Sequence, residues 1–425
     1  MNVEEKISDW PVVPLGQLAD FRNGINYNKS NFGKGIKVIN VGDFKDRSFV
    51  DVGSLGEINP KGIVHQGHLL KDNDILFVRS NGNRNLIGRS LFIRGLQEPI
   101  SHSAFTIRLR FHSDKVFSRY YAYLFRSDLI RQALSARGGG TNISNLNQEI
   151  LNSLEVPLPS LDTQQKIATV LSAYDDLIEN NTRRIQILEE MAQALYRQWF
   201  VEFQYPGHED VPLVDSGTEL GEIPQGWEVG KVGDRFTVVL GGTPSRRNPA
   251  YWKNGTVPWI NSGKSNELRV LEPSELITEL GLNKSSTKMM PKRTTIIAIT
   301  GATLGQVSLT EIETCANQSI VGVWDEAHLY TEYIYLTFCA IIQEVIQHAG
   351  GSAQQHINKE IVNAVEIFLP PTKIVKEFQN IVRPFFNLLE NLMWKNANLR
   401  ATRDLLLPRL VSGVVDVSDV SIKDE

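Results

Sequence analysis

The stretch RGGGTNISNLNQEILNSLEVPLP, residues 137–159, is written a second time as HAGGSAQQHINKEIVNAVEIFLP, residues 348–370. Gly139, Asn147, Glu149, Ile150 and Pro159 answer Gly350, Asn358, Glu360, Ile361 and Pro370. The agreement continues towards the N-terminus. DILFVRSNG (74–82) matches TIIAITGAT (295–303), and IKVINVGDF (36–44) matches VPWINSGKS (257–265). WPVVPLGQLADFRNG from Trp10 matches WEVGKVGDRFTVVLGG from Trp227, with Gly16 answering Gly233 and Gly24 falling near Gly241. A repeat of about 210 residues is too long for one solenoid unit, so the two copies read as related domains in one chain. A length of 425 residues agrees with two or three domains.

Each copy runs on into a long helical pattern. In the first, apolar residues recur at steps of four and three: Ile167, Leu171, Tyr174, Ile178, Ile185, Leu188, Ala192, Leu195 and Trp199. Asn181 fills the one polar slot. The second reads Phe378, Ile381, Phe385, Leu388, Leu392, Leu399 and Leu406, with Lys395 and Thr402 in the gaps. A sustained four-three repeat marks a helix packed along another helix. About 40 residues give roughly 60 Å at a rise of about 1.5 Å per residue. The natural partner of one seam is the other; the alternative is separate burial of each helix on its own domain. Asn181 is either a register-setter or a tolerated polar residue.

Ahead of each helix the pattern is mixed. KVINV, DILFVRS, AFTIRLRF, TTIIAIT and SIVGVW are short β-branched runs bounded by Gly, Asn and Pro, and read as strands. KVFSRYYAYLFRSDLIRQALSA and LYTEYIYLTFCAIIQEVIQHA read as helices. The Gly- and Pro-rich segment 205–226 reads as a linker. The organisation expected is a domain over 1–160, a long helix over 161–204, the linker, a second domain over 227–370, a second long helix over 371–412 and a tail over 413–425.

Composition narrows the functional classes. With 41% apolar and 22% charged residues the chain is an ordinary globular protein, and its most apolar stretch, YIYLTFCAII, is too short to span a bilayer. No secretory signal opens it, and Cys315 and Cys339 are too few and too far apart for a disulfide framework, so a reducing cytoplasm is expected. The net charge of −4 announces no nucleic-acid binder, but residues 11–160 hold 19 basic against 12 acidic side chains. Residues 227–370 hold 12 against 14. If the protein binds DNA, a partner supplies much of the phosphate attraction.

The catalytic likenesses fail one by one. Asn248-Pro249-Ala250-Tyr251 is one residue from the Asn-Pro-Pro-Tyr of DNA amino-methyltransferases, the basis of the rival reading as a stand-alone adenine methyltransferase. It follows two arginines rather than an apolar strand, and no F-x-G-x-G cofactor turn stands elsewhere. NSGKS at 261–265 imitates a phosphate loop, but Pro258 occupies a required glycine position and has no N–H to offer. His65 and His68 lack nearby cysteine or acidic partners, so no metal site is expected.

What remains is a binder. Residue types that read base edges or grip phosphate cluster in Gly-containing loops of both copies. The first copy offers Asn23, Tyr27, Asn28, Lys29, Arg79, Ser80, Asn81, Asn83, Arg84 and Asn85. The second offers Thr243, Ser245, Arg246, Arg247, Tyr251, Asn261, Lys264, Asn317 and Gln318.

Two globular repeats, each followed by a long seam helix, resemble the specificity subunit of a type I restriction–modification enzyme. GGTPSRRNPAYW with VPWINSG resembles the opening of that family's target recognition domains, and residues 158–203 resemble its central helical region. PLVDSGTELGEIPQGWEV resembles the entry to its second recognition domain. The resemblance implies an α+β fold: two homologous target recognition domains separated by two long antiparallel coiled-coil helices, a pseudo-twofold internal repeat. It implies a non-catalytic chain in which each domain contacts one half of a split double-stranded DNA target and the helices act as spacer. It places S-adenosylmethionine on partner methylation subunits, and ATP and magnesium on partner restriction subunits, with no cofactor in this chain.

Overall fold

The computed structural model describes residues 10–44, 52–81, 86–137, 145–349 and 357–421. The chain forms two compact units, one of residues 1–179 with 397–425 and one of residues 180–396. The sequence boundaries differ from these because each long helix contributes to both units: the first spans Leu161–Tyr196 and the second Thr372–Val411.

In the first unit a four-stranded antiparallel sheet runs in the order Ala19–Asn23, Thr106–Phe111, Ile75–Val78, Ser90–Phe92. Ile75–Val78 is buried on both faces, which is why it reads as an unbroken apolar run rather than an alternation. Ile75 and Phe77 face Tyr120, Tyr121 and Leu124, while Leu76 and Val78 face Ile39, Leu91 and Ile100. A three-stranded sheet, Gly56–Ile58, Phe32–Ile39, Ile100–His102, stands beside it.

The second unit repeats the plan. Its five-stranded sheet runs Thr237–Leu240, Ile320–Trp324, Thr295–Ala298, Val307–Thr310, Arg269–Val270, and its three-stranded sheet Glu275–Ile277, Val257–Ile260, Cys315–Ala316. Helix Thr331–Ala349 covers the larger sheet.

The repeated text has a local cause. Asn147 accepts from the Ile150 N–H at 2.8 Å and caps helix Gln148–Asn152; Asn358 accepts from the Ile361 N–H at 2.8 Å and caps helix Lys359–Ala364. A Cβ on Gly16 would stand 2.4 Å from Asn152 Oδ1, and one on Gly233 2.7 Å from Asn363 Oδ1. Both glycines thus leave room for the same asparagine side chain of the capped helix. The strand after each capped helix pairs with the strand that opens its copy: Glu155–Pro157 with Val12–Pro14, and Glu366–Leu369 with Glu228–Lys231.

Residues 205–226 are better ordered than a tether. Leu213–Asp215 pairs with Glu222–Pro224 as a short hairpin, and Tyr205 and Ile223 are buried in the core of the second unit with Trp227. Three-residue strands carry too little periodicity to be seen in sequence.

The two long helices meet antiparallel within each unit. In the first, Ile167, Ala168 and Leu171 share a core with Leu407, Leu410 and Val411. In the second, Ile185 packs with Leu389 and Leu392, flanked by half-buried Leu188. Tyr174, Ile178, Leu195, Phe385 and Leu399 are half-buried and Phe378 is buried. The expected seam of the second helix is corrected at two positions: Ile381 is 42% and Leu388 38% exposed. The buried column lies one residue later, at Val375, Val382, Leu389, Asn396, Arg403 and Leu410. Two of its members are polar, and an apolar pattern search passes over them. They are tolerated because each finds a partner on the first helix: Asn396 bonds Asn181, and Arg403 pairs with Asp175.

Candidate nucleic-acid interface

In the first unit the candidates gather where two strands end together. A Cβ on Gly24 would lie 2.2 Å from the His102 carbonyl oxygen, and the Ile25 N–H donates to that oxygen at 2.8 Å. Only glycine lets the chain after Asn23 pass so close to the turn at 103–105. Asn23 is half-buried, with an Oδ1 that accepts no hydrogen bond among the described residues. Beyond Gly24, Tyr27 donates its hydroxyl to Asn40 Oδ1 at 2.6 Å, and burial pushes its phenol up. Asn28 accepts from the Ser30 N–H, capping the turn that presents exposed Lys29.

Arg79, Ser80 and Asn81 leave the end of strand Ile75–Val78 half-exposed. The Arg79 N–H donates to the Phe105 carbonyl at 2.8 Å, and its guanidinium reaches the Ala104 carbonyl at 3.4 Å. An open cleft of about 570 Å³ is lined by Asn40, Val41, Gly42, Ser80, Asn81 and Phe105. Through Asn40 the structure thus joins Tyr27 to Ser80 and Asn81, loops more than 50 residues apart in sequence. Asn83, Arg84 and Asn85 lie outside the described residues. Sequence reading missed Asn40, although it aligns with the chosen Asn261, and Phe105, which sits in an apolar run taken as a strand.

Basic groups lie next to this corner. His68 is lowered by burial and by the charges of Arg22, His65 and Arg108. His102 is lowered to about 3, chiefly by burial and then by Arg108. Its Nδ1 bonds the Thr106 hydroxyl at 2.9 Å.

The second unit repeats several bonds of the same frame. A Cβ on Gly241 would lie 2.1 Å from the Asn317 carbonyl oxygen, and the Gly242 N–H donates to Ala316 as Ile25 does to His102. The Ile299 N–H donates to the Ser319 carbonyl as Arg79 does to Phe105, and Asn317 donates to Ile260 as Ser103 does to Ile39. Arg79 and Ile299 are therefore equivalent positions, as are Phe105 and Ser319, which corrects by one residue the sequence match of 74–82 to 295–303 that set Arg79 against Thr300.

Most of the second unit's candidates already hold a partner within the chain. Thr243 donates its hydroxyl to exposed Gln318 at 2.5 Å. Arg246 makes two 2.6 Å bonds to Glu275, and its guanidinium stacks 3.5 Å from the Trp252 ring centroid. Lys264 pairs with Glu267 at 2.7 Å. Asn261 accepts from Gly263, and Asn317 from Ser319. Ser245 and Arg247 are exposed. Asn248 accepts from the Ala250 N–H at 3.1 Å and caps the turn Pro249–Tyr251, whose Tyr251 is half-buried against helix Glu279–Asn283. The Asn-Pro-Ala-Tyr stretch is a capped surface turn. Among the described residues no group of three His, Cys, Asp or Glu is placed to hold a metal, and no helix is long and apolar enough to cross a membrane.

The model of a family described as type I restriction modification DNA specificity domain matches residues 7–190 and again 224–399. The chain is 30% identical over 312 residues to the type I restriction enzyme MjaIX specificity subunit of Methanocaldococcus jannaschii, covering 72% of this chain and 71% of the relative. It is 25% identical to the HindI specificity subunit of Haemophilus influenzae over 96% of this chain and all of the relative. Its fold is similar to the crystal structure of a type I restriction–modification S subunit from M. genitalium, with a TM-score of 0.58 at 15% identity over 96% of this chain and 98% of that one.

Proposed function

The chain belongs to the type I restriction modification DNA specificity domain family, and we propose that each of its two units reads one half of a bipartite, asymmetric DNA target. The long helices set the spacing between the halves and dock methylation subunits. The chain itself does no chemistry. S-adenosylmethionine, ATP and magnesium act on the partner methylation and restriction subunits, in the cytoplasm.

The observation that carries this reading is one backbone frame built twice and furnished differently. The same hydrogen bonds hold Arg79 and Phe105 in one unit and Ile299 and Ser319 in the other. Identical frames with unlike side chains suit a target whose halves differ, which a symmetric dimer of one unit does not offer. The basic balance of residues 11–160 favours phosphate there, while the acidic balance of residues 227–370 leaves much of that attraction to partners.

The test uses the assembled methylation complex and a genome-wide map of methylated adenines. Arg79→Ala is expected to relax or weaken one half-site, and Arg247→Ala the other. Unchanged maps for both variants, or loss of both halves together in each, would overturn the assignment. S-adenosylmethionine binding by the isolated chain would revive the methyltransferase reading, which the use of Asn248 as a turn cap argues against.

A further inference from the structure

We propose that Phe105 is a specificity-determining residue of the first unit, packing its ring on a thymine C5-methyl group in the major groove. This inference rests on the reading of the first unit as a DNA reader.

The ring is 61% exposed, although it belongs to an apolar run whose next members, Thr106 and Ile107, are fully buried. Its exposure is built in rather than left over, because the backbone on both sides of it is tied down. Ser103 donates to the Ile39 carbonyl at 3.0 Å and Ala104 to the Ile25 carbonyl at 2.8 Å. The Phe105 carbonyl accepts from Arg79 at 2.8 Å, and Thr106 closes the turn onto the Ser103 carbonyl through its N–H and its hydroxyl. A turn so fully bonded cannot fold the ring back into the core, so the apolar surface stays presented.

Its setting supplies the partner's chemistry. The ring forms one wall of a cleft whose other lining includes the polar side chains of Asn40, Ser80 and Asn81. An adenine–thymine pair shows the same combination on its major-groove edge: the N7 acceptor and N6 donor of adenine beside the methyl of thymine. Asparagine suits the first and an aromatic ring the second. The equivalent position of the second unit is Ser319, half-buried and without apolar surface to offer. The preference therefore belongs to one half-site.

The test measures binding of the assembled complex to its mapped target and to targets in which each thymine of the first unit's half is replaced by uracil, which removes only the methyl. Wild type is expected to bind one uracil substitution roughly four- to tenfold more weakly, the worth of one buried methyl contact. Phe105→Ser, which copies the second unit's residue, is expected to bind thymine and uracil alike at that position, and Phe105→Leu to retain part of the preference. Because the ring is exposed, both variants keep the wild-type Tm. The idea is overturned if no uracil substitution weakens wild type, or if Phe105→Ser keeps the preference. It is equally overturned if Phe105→Ser binds thymine and uracil targets more weakly by one common factor, the mark of a wedge that bends DNA. Failure of wild type to prefer its mapped target over random DNA would instead sink the underlying reading of the unit.

Discussion

Asn181 donates from Nδ2 to Asn396 Oδ1 at 2.9 Å, with both residues buried between the two long helices. Asn396 in turn donates to the Thr182 hydroxyl at 3.3 Å. A slip of either helix leaves two buried amides unpaired, so the pair fixes register at the expense of an all-apolar seam.

Asn181→Leu alone is therefore expected to destabilise the chain by about 1–3 kcal/mol, because the buried Asn396 Oδ1 loses the donor that Asn181 supplies. Asn181→Leu with Asn396→Leu is expected to recover most of that loss. Urea unfolding of the three variants checks both, and a double variant as unstable as the single one would remove the pair from this role.

Arg269 is buried completely, with its guanidinium 4.3 Å from the Tyr335 ring centroid and 4.6 Å from that of Phe386. Its Nη2 donates to Glu189 at 2.9 Å, and Tyr335 donates to the other oxygen of Glu189 at 2.8 Å. Glu189→Ala is expected to cost about 3–5 kcal/mol, since it removes the hydrogen-bonded carboxylate of a buried cation and leaves only the more distant Glu311 beside it. A double-mutant cycle with Arg269→Met should show the two losses to be far from additive.

Acid and base act oppositely on the two units. In the second, Glu311 lies among Arg293, Arg269 and Lys292, yet its oxygens accept no hydrogen bond among the described residues, and burial pushes its carboxyl up to about 7. Folded Glu311 holds its proton where the unfolded chain has lost it, so its contribution is full below pH 4.5 and declines as pH rises to 7. Glu311→Gln should therefore gain on wild type by up to about 3 kcal/mol across that window. In the first unit His102, lowered to about 3, stays neutral while the unfolded imidazole takes a proton. Its contribution is present above pH 6.5 and lost as pH falls below it, by about 1.4 kcal/mol per pH unit. Urea unfolding of wild type, Glu311→Gln and His102→Gln between pH 4.5 and 8 reads both slopes; equal slopes in all three would refute the assignment.

The Arg246–Glu275 pair is half exposed, so its loss should change stability little. Its effect is on charge, because Glu275 neutralises an arginine on the loop that the proposal places on DNA. Glu275→Gln is expected to tighten DNA binding by the complex and steepen its salt dependence by about one counterion. Arg246→Ala is expected to leave that slope nearly as in wild type. A slope untouched by Glu275→Gln would place this loop away from phosphate.

Much of the fold was legible in the text. The repeated Asn147 and Asn358, like Gly16 and Gly233, marked corresponding positions of the two copies, but their roles as helix caps and close approaches came only with the structure. The first seam was read nearly in phase because its members are apolar. The second slipped by one residue because Ile381 and Leu388 look more like seam than Asn396 and Arg403 do. Of the candidate site, residue types and loops were readable, but their occupation was not. Nothing near Arg246 in sequence foretells Glu275, 29 residues on.

The sequence alone determined that the chain is one plan written twice, with two long helices, since a repeat and a four-three periodicity are written in the order of the residues itself. Tertiary structure alone decided which polar groups are buried in pairs, which arginines are already neutralised and which ring stands bare. Those outcomes depend on partners brought together from distant parts of the chain, and a residue's type does not state who its neighbour will be.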